Sequence, residues 1–426
     1  MPGVMRKLLF IVSVFGLVAA TWLFVPTQDV VDASWRLSGE DGSDADLVAR
    51  GQYLAIAGNC GTCHTAEDGA YMAGGLAFET PFGTIHSTNI TPDAETGIGS
   101  WTAADLLNSM RHGVRPDGTH LYPVFPYPNF TRVSDGDVAA LYAYLMSVPA
   151  VRRESPPNEL SFPFNLRFLL AAWKRLFFEP GEYRPDTSRP AEWNRGKYLV
   201  DALAHCGACH SPRNRFGAGI EVLAMTGGEY LGPVPGGSHR PWFAPDLTSS
   251  PTGLGLWPDE ELADYLKTGR NSFIETFGPM NEVVLNSTRH LDAADIAAIT
   301  SYLKSLPPSP QSARAEVPRS TMGRGRTIYN LHCGTCHLPT GLGDPEMAPR
   351  LDRGSLVVQA ENPASMINVI LYAPALGDLP PRWRHPMEEF QYLLDDEEVA
   401  AVASYVRNSW NNRAGPVTPE QVVRQR

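Results

Sequence analysis

The sequence predicts an all-α chain of three tandem domains behind an N-terminal apolar segment, and three repeated features predict it. First, a Cys-x-x-Cys-His motif occurs at Cys60, Cys63 and His64, at Cys206, Cys209 and His210, and at Cys333, Cys336 and His337, using every cysteine present. Second, a helical stretch leads into each copy: ARGQYLAIAGN from Ala49, NRGKYLVDALAH from Asn194 and GRTIYNLH from Gly325. Third, each copy is followed by an amphipathic helix with a cap residue at Ser134, Asp292 or Asp395, an acid three residues later in a capping-box position, and a tyrosine ten after the cap. Tyr144, Tyr302 and Tyr405 are therefore equivalent, and they are expected to pack where the first and last helices of each unit cross.

Taken in order, the chain opens with Arg6 and Lys7 before a mostly apolar run from Leu8 to Val25, a charged region and apolar core of the signal type. The run continues past Ala19 and Ala20 through Trp22, Leu23 and Phe24, which favours an uncleaved anchor over a cleaved signal. Positive charge before it and Asp29 and Asp32 after it place the remainder outside the cytoplasm. The segments follow as anchor or signal 1–28, linker 29–46, domain one 47–150, bridge 151–190, domain two 191–308, linker 309–319, domain three 320–410 and tail 411–426. A length of 426 residues suits about three domains. Domains one and two share more: Asn89-Ile90-Thr91 and Thr96 to Trp101 are echoed by Asp246-Leu247-Thr248 and Thr252 to Trp257. In both, a glycine twelve residues after the tryptophan, Gly113 or Gly269, is placed to cap the next helix. The bridge stretch FPFNLRFLLAAWKRLFF from Phe162 reads two ways: an amphipathic helix lying on a bilayer or docking a partner, or packing between domains one and two.

Two cysteines three apart with histidine next suit covalent haem: each thiol adds to a vinyl group and the adjacent imidazole reaches the iron. A thioredoxin-type pair or half of a zinc site explains one CxxC, but neither calls for histidine at all three. The reading is three covalently bound haem c groups, with His64, His210 and His337 as proximal ligands, each oriented by a bond from its other ring nitrogen to a backbone carbonyl. With all six thiols on haem, no disulfide remains. The net charge of −11, without a long Lys/Arg cluster, excludes a nucleic-acid surface.

The opposite iron face usually takes a methionine. Met280 and Met387 each follow a proline, twelve and eight residues before the caps at Asp292 and Asp395, and are the expected distal ligands in domains two and three. Domain one has Phe125 at the corresponding place. His120 is the nearest substitute there, with Met72, Met110, His86 and His112 behind it. An open iron in domain one would permit peroxidase chemistry.

Helix, CxxCH, loops and closing helix resemble the layout of a class I cytochrome c domain. The stretch TPFGTIHSTNITPD from Thr80, the TGIGSW motif, the loop around Leu121 to Tyr127, RGKYLVDALAHCGACHSPRN, the bridge and YVRNSWNN are together similar to the tri-haem cytochrome c subunits of membrane-bound bacterial dehydrogenases. That resemblance covers nearly the whole chain. It implies a chain that is no enzyme on its own but passes electrons from a catalytic subunit to ubiquinone or a terminal oxidase, at the periplasmic face of the inner membrane. Relatives serve molybdenum hydroxylases of aldehydes or N-heterocycles, quinoprotein alcohol dehydrogenases and flavin-dependent sugar dehydrogenases. Because the alcohol-dehydrogenase branch generally has methionine where Phe125 stands, the resemblance points to a molybdopterin-dependent partner, with a quinone-dependent one as the alternative. The chain has no phosphate loop, dinucleotide fingerprint or Ser-His-Asp set.

Overall fold

The computed structural model describes residues 30–31, 45–233, 239–311, 313–352, 354–374 and 386–426. The expected N-terminal anchor lies outside these residues, as does most of the first linker. No helix among the described residues is long and apolar enough to cross a membrane. Packing divides the chain into two units, Cys63–Arg184 with the stretch up to Leu54, and Pro185–Arg426 with Ala55–Thr62.

The helices expected to frame each repeat are present. In the first unit α1 (Ala45–Ala57) leads in, α2 (Ala103–His112) follows the tryptophan and α3 (Asp135–Ser147) closes; α4 (Leu169–Phe177) lies in the bridge. The second unit holds α5 (Ala191–Tyr198), α6 (Asp259–Thr268), α7 (Met280–Asn286) and α8 (Ala293–Lys304), then α9 (Arg319–His332), α10 (Ala364–Tyr372) and α11 (Asp396–Val406). Gly113 and Gly269 cap α2 and α6 in the left-handed region, at φ 60° and 77°, as their spacing requires. The tandem glycines of both TGxG motifs are also equivalent. A Cβ on Gly97 would meet the carbonyl oxygen of Thr91 at 2.2 Å, and one on Gly253 that of Thr248 at 2.6 Å.

The fold is mostly helical rather than all-α. Strands β1 (Ala77–Thr80), β2 (Gly83–His86) and β3 (Glu159–Leu160) form one antiparallel sheet, and β4 (Gly228–Pro233) pairs with β5 (His239–Ala244) in another. Thr80, Thr84 and Ile85 suit the pleat, and Gly83, at φ 123°, makes the tight turn while β3 passes so close that a Cβ would meet Glu159 O at 2.2 Å. Strands this short, set in Gly- and Pro-rich sequence, carry little periodicity.

Where the opening and closing helices cross, one device recurs three times. A Cβ on Gly51 would stand 1.8 Å from the carbonyl oxygen of Ala140, on Gly196 1.9 Å from that of Ala298, and on Gly325 2.1 Å from that of Ala401. In each case the next obstacle includes the Cβ of the repeated tyrosine, Tyr144, Tyr302 or Tyr405. The arginine before each glycine reaches the acidic start of the closing helix: Arg50 to Asp137 at 2.5 Å, Arg195 to Asp295 at 2.7 Å and Arg324 to Glu397 at 2.7 Å. Bare glycine backbone lets the helices touch, and the arginine fixes how far one slides along the other.

The third repeat builds its core from Tyr329, Ile367, Leu371, Val399 and Ala403. Arg407, 1% exposed, closes its C-terminal side by donating to the carbonyls of Val358, Ala414 and Gly415. Burial lowers its pKa to about 10, still far above neutrality. Arg407→Met is expected to leave those carbonyls short of donors and to cost about 2–3 kcal/mol in urea unfolding; a loss under about 0.5 kcal/mol would contradict this role.

The bridge packs on the first unit. The Lys174 ammonium, 3% exposed by its residue surface, donates to the carbonyls of His112 (2.6 Å) and Gly113 (2.7 Å) and lies 3.0 Å from His120 Nδ1. Arg167 donates to His120 O at 2.9 Å and stands over the Tyr122 ring, while Trp173 and Phe178 meet Tyr127 edge-on.

Candidate functional site

Each CxxCH folds as a single helical turn, Cys60–His64, Gly207–His210 behind Cys206, and Gly334–His337 behind Cys333. One turn puts cysteines three apart on the same face with the histidine beside them. In the second and third copies the histidine N–H closes back on the first cysteine's carbonyl at 3.0 Å. All six cysteines are partly exposed and none is in a disulfide.

The three imidazoles are held alike. Nδ1 of His64 lies 2.6 Å from Thr88 O, that of His210 2.8 Å from Pro245 O, and that of His337 2.9 Å from Pro349 O. A carbonyl can only accept, so Nδ1 carries the proton and the lone pair is left on Nε2. Burial lowers the pKa of all three rings, which keeps them neutral, the state in which imidazole binds a metal. In the first two repeats a hairpin supplies that carbonyl: β2 ends two residues before Thr88, and β5 one residue before Pro245.

In the second and third motifs the thiols speak against thiol–disulfide catalysis. Burial pushes Cys206 up to about 12 and Cys333 up to about 11, and raises Cys209 as well. A thiol–disulfide catalyst needs its attacking cysteine shifted the other way. Among the described residues no group of three or more His, Cys, Asp and Glu side chains is placed to hold a metal ion. Paired thiols followed by a neutral, pre-oriented imidazole instead suit covalent haem, which the thiols would hold by thioether bonds and Nε2 would ligate. An open cavity of about 560 Å³ adjoins the third copy at Gly334 and Thr335, lined also by Arg326, Asn330 and Tyr405.

Both expected distal methionines are among the described residues. Met280 is half-buried at the first turn of α7, behind Gly278 at φ 56° and Pro279. A Cβ on Gly278 would meet the Trp242 ring at 2.8 Å and one on Gly232 would meet Pro279 at 2.7 Å, so the β4–β5 hairpin that precedes Pro245 also supports the Met280 loop. Met387 is half-buried against the core of the third repeat. Phe125 packs against Phe130, with ring centroids 5.3 Å apart. His120 is held below its usual pKa, at about 4, by burial and then by Lys174. Lys174 donates to His112 O and Gly113 O and meets His120 Nδ1; burial lowers its own pKa to about 7, so near neutrality Nδ1 accepts from the ammonium form and donates to the amine form.

The weaker alternatives are accounted for by position. Met72, fully buried at φ 62°, accepts from Ile90 N, and Met225, also at φ 62°, accepts from Leu247 N in the same way. Both therefore pair through their backbone with the segment two residues beyond the Thr88 or Pro245 carbonyl. Met110 and His112 are buried in α2, and His86 Nδ1 lies 3.1 Å from Pro157 O. The sequence predicts a carbonyl behind each histidine but does not locate it, and it gives Lys174 no place at the site; the repeated Arg-Gly pair was visible at 50–51, 195–196 and 324–325 but had no assigned role.

The Cytochrome c family model matches residues 48–149 and 322–410. The chain is 42% identical over 382 residues to a nicotinate dehydrogenase subunit of Pseudomonas putida, covering 85% of this chain but 30% of that protein. It is 38% identical over 420 residues to the cytochrome c subunit of alcohol dehydrogenase (quinone) of Gluconacetobacter polyoxogenes, covering 92% of this chain and 87% of that one. To the fructose dehydrogenase cytochrome subunit of Gluconobacter japonicus it is 36% identical over 423 residues, covering 89% and 82%.

Proposed function

Because the chain belongs to the cytochrome c family, among the cytochrome subunits of dehydrogenases, we propose that it is the electron-transfer subunit of a periplasmic dehydrogenase complex and carries three covalently bound haem c groups. The observation that carries the reading is the set of three Nδ1-to-carbonyl contacts, each leaving the lone pair on Nε2 of a histidine that directly follows a cysteine pair. Cys60, Cys63, Cys206, Cys209, Cys333 and Cys336 hold the groups, and His64, His210 and His337 are the proximal ligands. Haem c supplies a one-electron iron couple, whose potential the chain sets through its ligands and burial.

Met280 and Met387 are the proposed distal ligands. Met280→Ala and Met387→Ala are each expected to open one iron, seen as one added equivalent of carbon monoxide bound per chain and one redox wave moved to lower potential. Carbon monoxide binding equal to that of the parent protein would remove the residue from the ligand set.

For the first group the nearest candidate is His120. Its Nδ1 is tied to Lys174 at 3.0 Å, which restrains the ring against the bridge, so its bond to iron would be the most easily displaced of the distal set. The parent protein is accordingly expected to bind one carbon monoxide readily, and His120→Ala to tighten that binding without loss of haem; unchanged binding in the variant would reduce His120 to a loop residue held by Lys174. The peroxidase alternative finds no support in these relatives.

The proposed partner is the catalytic part of a dehydrogenase. A molybdenum hydroxylase acting on aldehydes or N-heterocycles is favoured by the 42% identity to a nicotinate dehydrogenase subunit and by Phe125, with a quinoprotein alcohol or flavin-dependent sugar dehydrogenase as the second reading. Ubiquinone or a terminal oxidase is the proposed acceptor, with the N-terminal run as the attachment to the inner membrane. Gentle solubilisation followed by assay of the complex for molybdenum and for pyrroloquinoline quinone tests the choice. Molybdenum is the expected result, and the quinone cofactor alone would overturn it.

A further inference from the structure

Helix α4 is inverted relative to an ordinary surface helix. It turns Leu170 and Lys174 into the protein and leaves Phe168 (59% exposed) and Leu176 (58%) outside. On a helical wheel Phe168, Ala172 and Leu176 fall on one stripe, four residues apart, opposite the buried Lys174. Phe162 (78% exposed) and Phe164 extend the apolar surface into the turn before the helix. A soluble surface helix gains nothing from burying its lysine while showing its phenylalanine and leucine to water.

Charge indicates what covers this face. From Ser161 to Phe178 the chain carries Arg167, Lys174 and Arg175 and no acidic residue, in a protein whose net charge is −11. An anionic bilayer repels the chain as a whole, so contact falls where aromatic and basic side chains coincide. The anchoring contacts of Lys174 and Arg167 to the 112–120 loop keep the helix from rolling over to hide the stripe.

We propose that Phe162, Phe164, Phe168 and Leu176, with Arg175 beside them, form a membrane-surface contact by which the first unit sits in the headgroup region of an anionic bilayer. The apolar side chains enter the acyl boundary while the Arg175 guanidinium remains at phosphate level. This contact is additional to the N-terminal run, and it rests on the proposed function only in placing the chain at a membrane.

The test uses the full chain in its native membranes together with its catalytic subunit. A photo-crosslinking p-benzoylphenylalanine is placed at Phe168, at Leu176 and, as a control, at Tyr392, which is 88% exposed in the second unit. Phospholipid adducts, rich in anionic headgroups, are expected at 168 and 176 at roughly ten times the yield at 392. Crosslinks from 168 or 176 to the catalytic subunit or to a second copy would overturn the proposal, as would lipid adducts no more abundant than at 392. The haem absorbance of the same samples is read separately, so loss of haem would count against the electron-transfer reading and leave the crosslinking result intact.

Discussion

Gly325→Ala is expected to destabilise the third repeat by about 3 kcal/mol or more, while Gly323→Ala, on the same helix, is expected to stabilise it by about 0.5–1 kcal/mol. The two glycines differ only in surroundings. A Cβ at 325 would lie 2.1 Å from Ala401 O and 2.6 Å from the Tyr405 Cβ, and relief requires α9 and α11 to separate along their whole contact. Nothing lies within 4 Å of a Cβ at 323, so alanine there only improves helix propensity. Urea unfolding followed by circular dichroism distinguishes them. Equal effects at the two sites would mean that close helix approach does not hold the repeat together, and Gly51→Ala and Gly196→Ala are expected to follow Gly325→Ala.

The second large effect concerns the prosthetic groups. Removing both thiols of the second motif, in Cys206→Ala with Cys209→Ala, is expected to lower covalent haem from three per chain to two and to delete one wave from the redox titration. The remaining motifs keep their own histidine–carbonyl contacts, His64 with Thr88 and His337 with Pro349, so their content should not change. Loss of all haem would show that the motifs are filled cooperatively, and retention of three would refute the assignment of Cys206 and Cys209.

Much of this arrangement is legible in the sequence because its signals are local. The CxxCH turn, the caps at Ser134 and Asp395 and the glycine ends of α2 and α6 each depend on residues a few positions apart, and each is found where spacing places it. The Asp292 cap starts α8 as expected, although its acid three residues on, Asp295, pairs with Arg195 rather than closing a capping box.

What depends on chain closure was not legible. The carbonyls that orient the three histidines lie 24, 35 and 12 residues downstream, and no residue type marks them because any backbone oxygen can serve. The hairpins that account for the two longer separations were hidden for a related reason: four to six residues of strand around Gly and Pro turns look like loop. Lys174 reads as the polar side of an amphipathic helix until the fold shows it buried, with Phe168 and Leu176 outside instead. The aromatic and basic composition of the bridge was visible, and its orientation was not.

The most direct test of the central claim is the intact mass of the exported chain under denaturing conditions, which separates covalent from merely bound groups. The account predicts one species heavier than the polypeptide by three haem groups. A chain carrying fewer than three after complete maturation, or one whose mass falls to that of the bare polypeptide on denaturation, would contradict it.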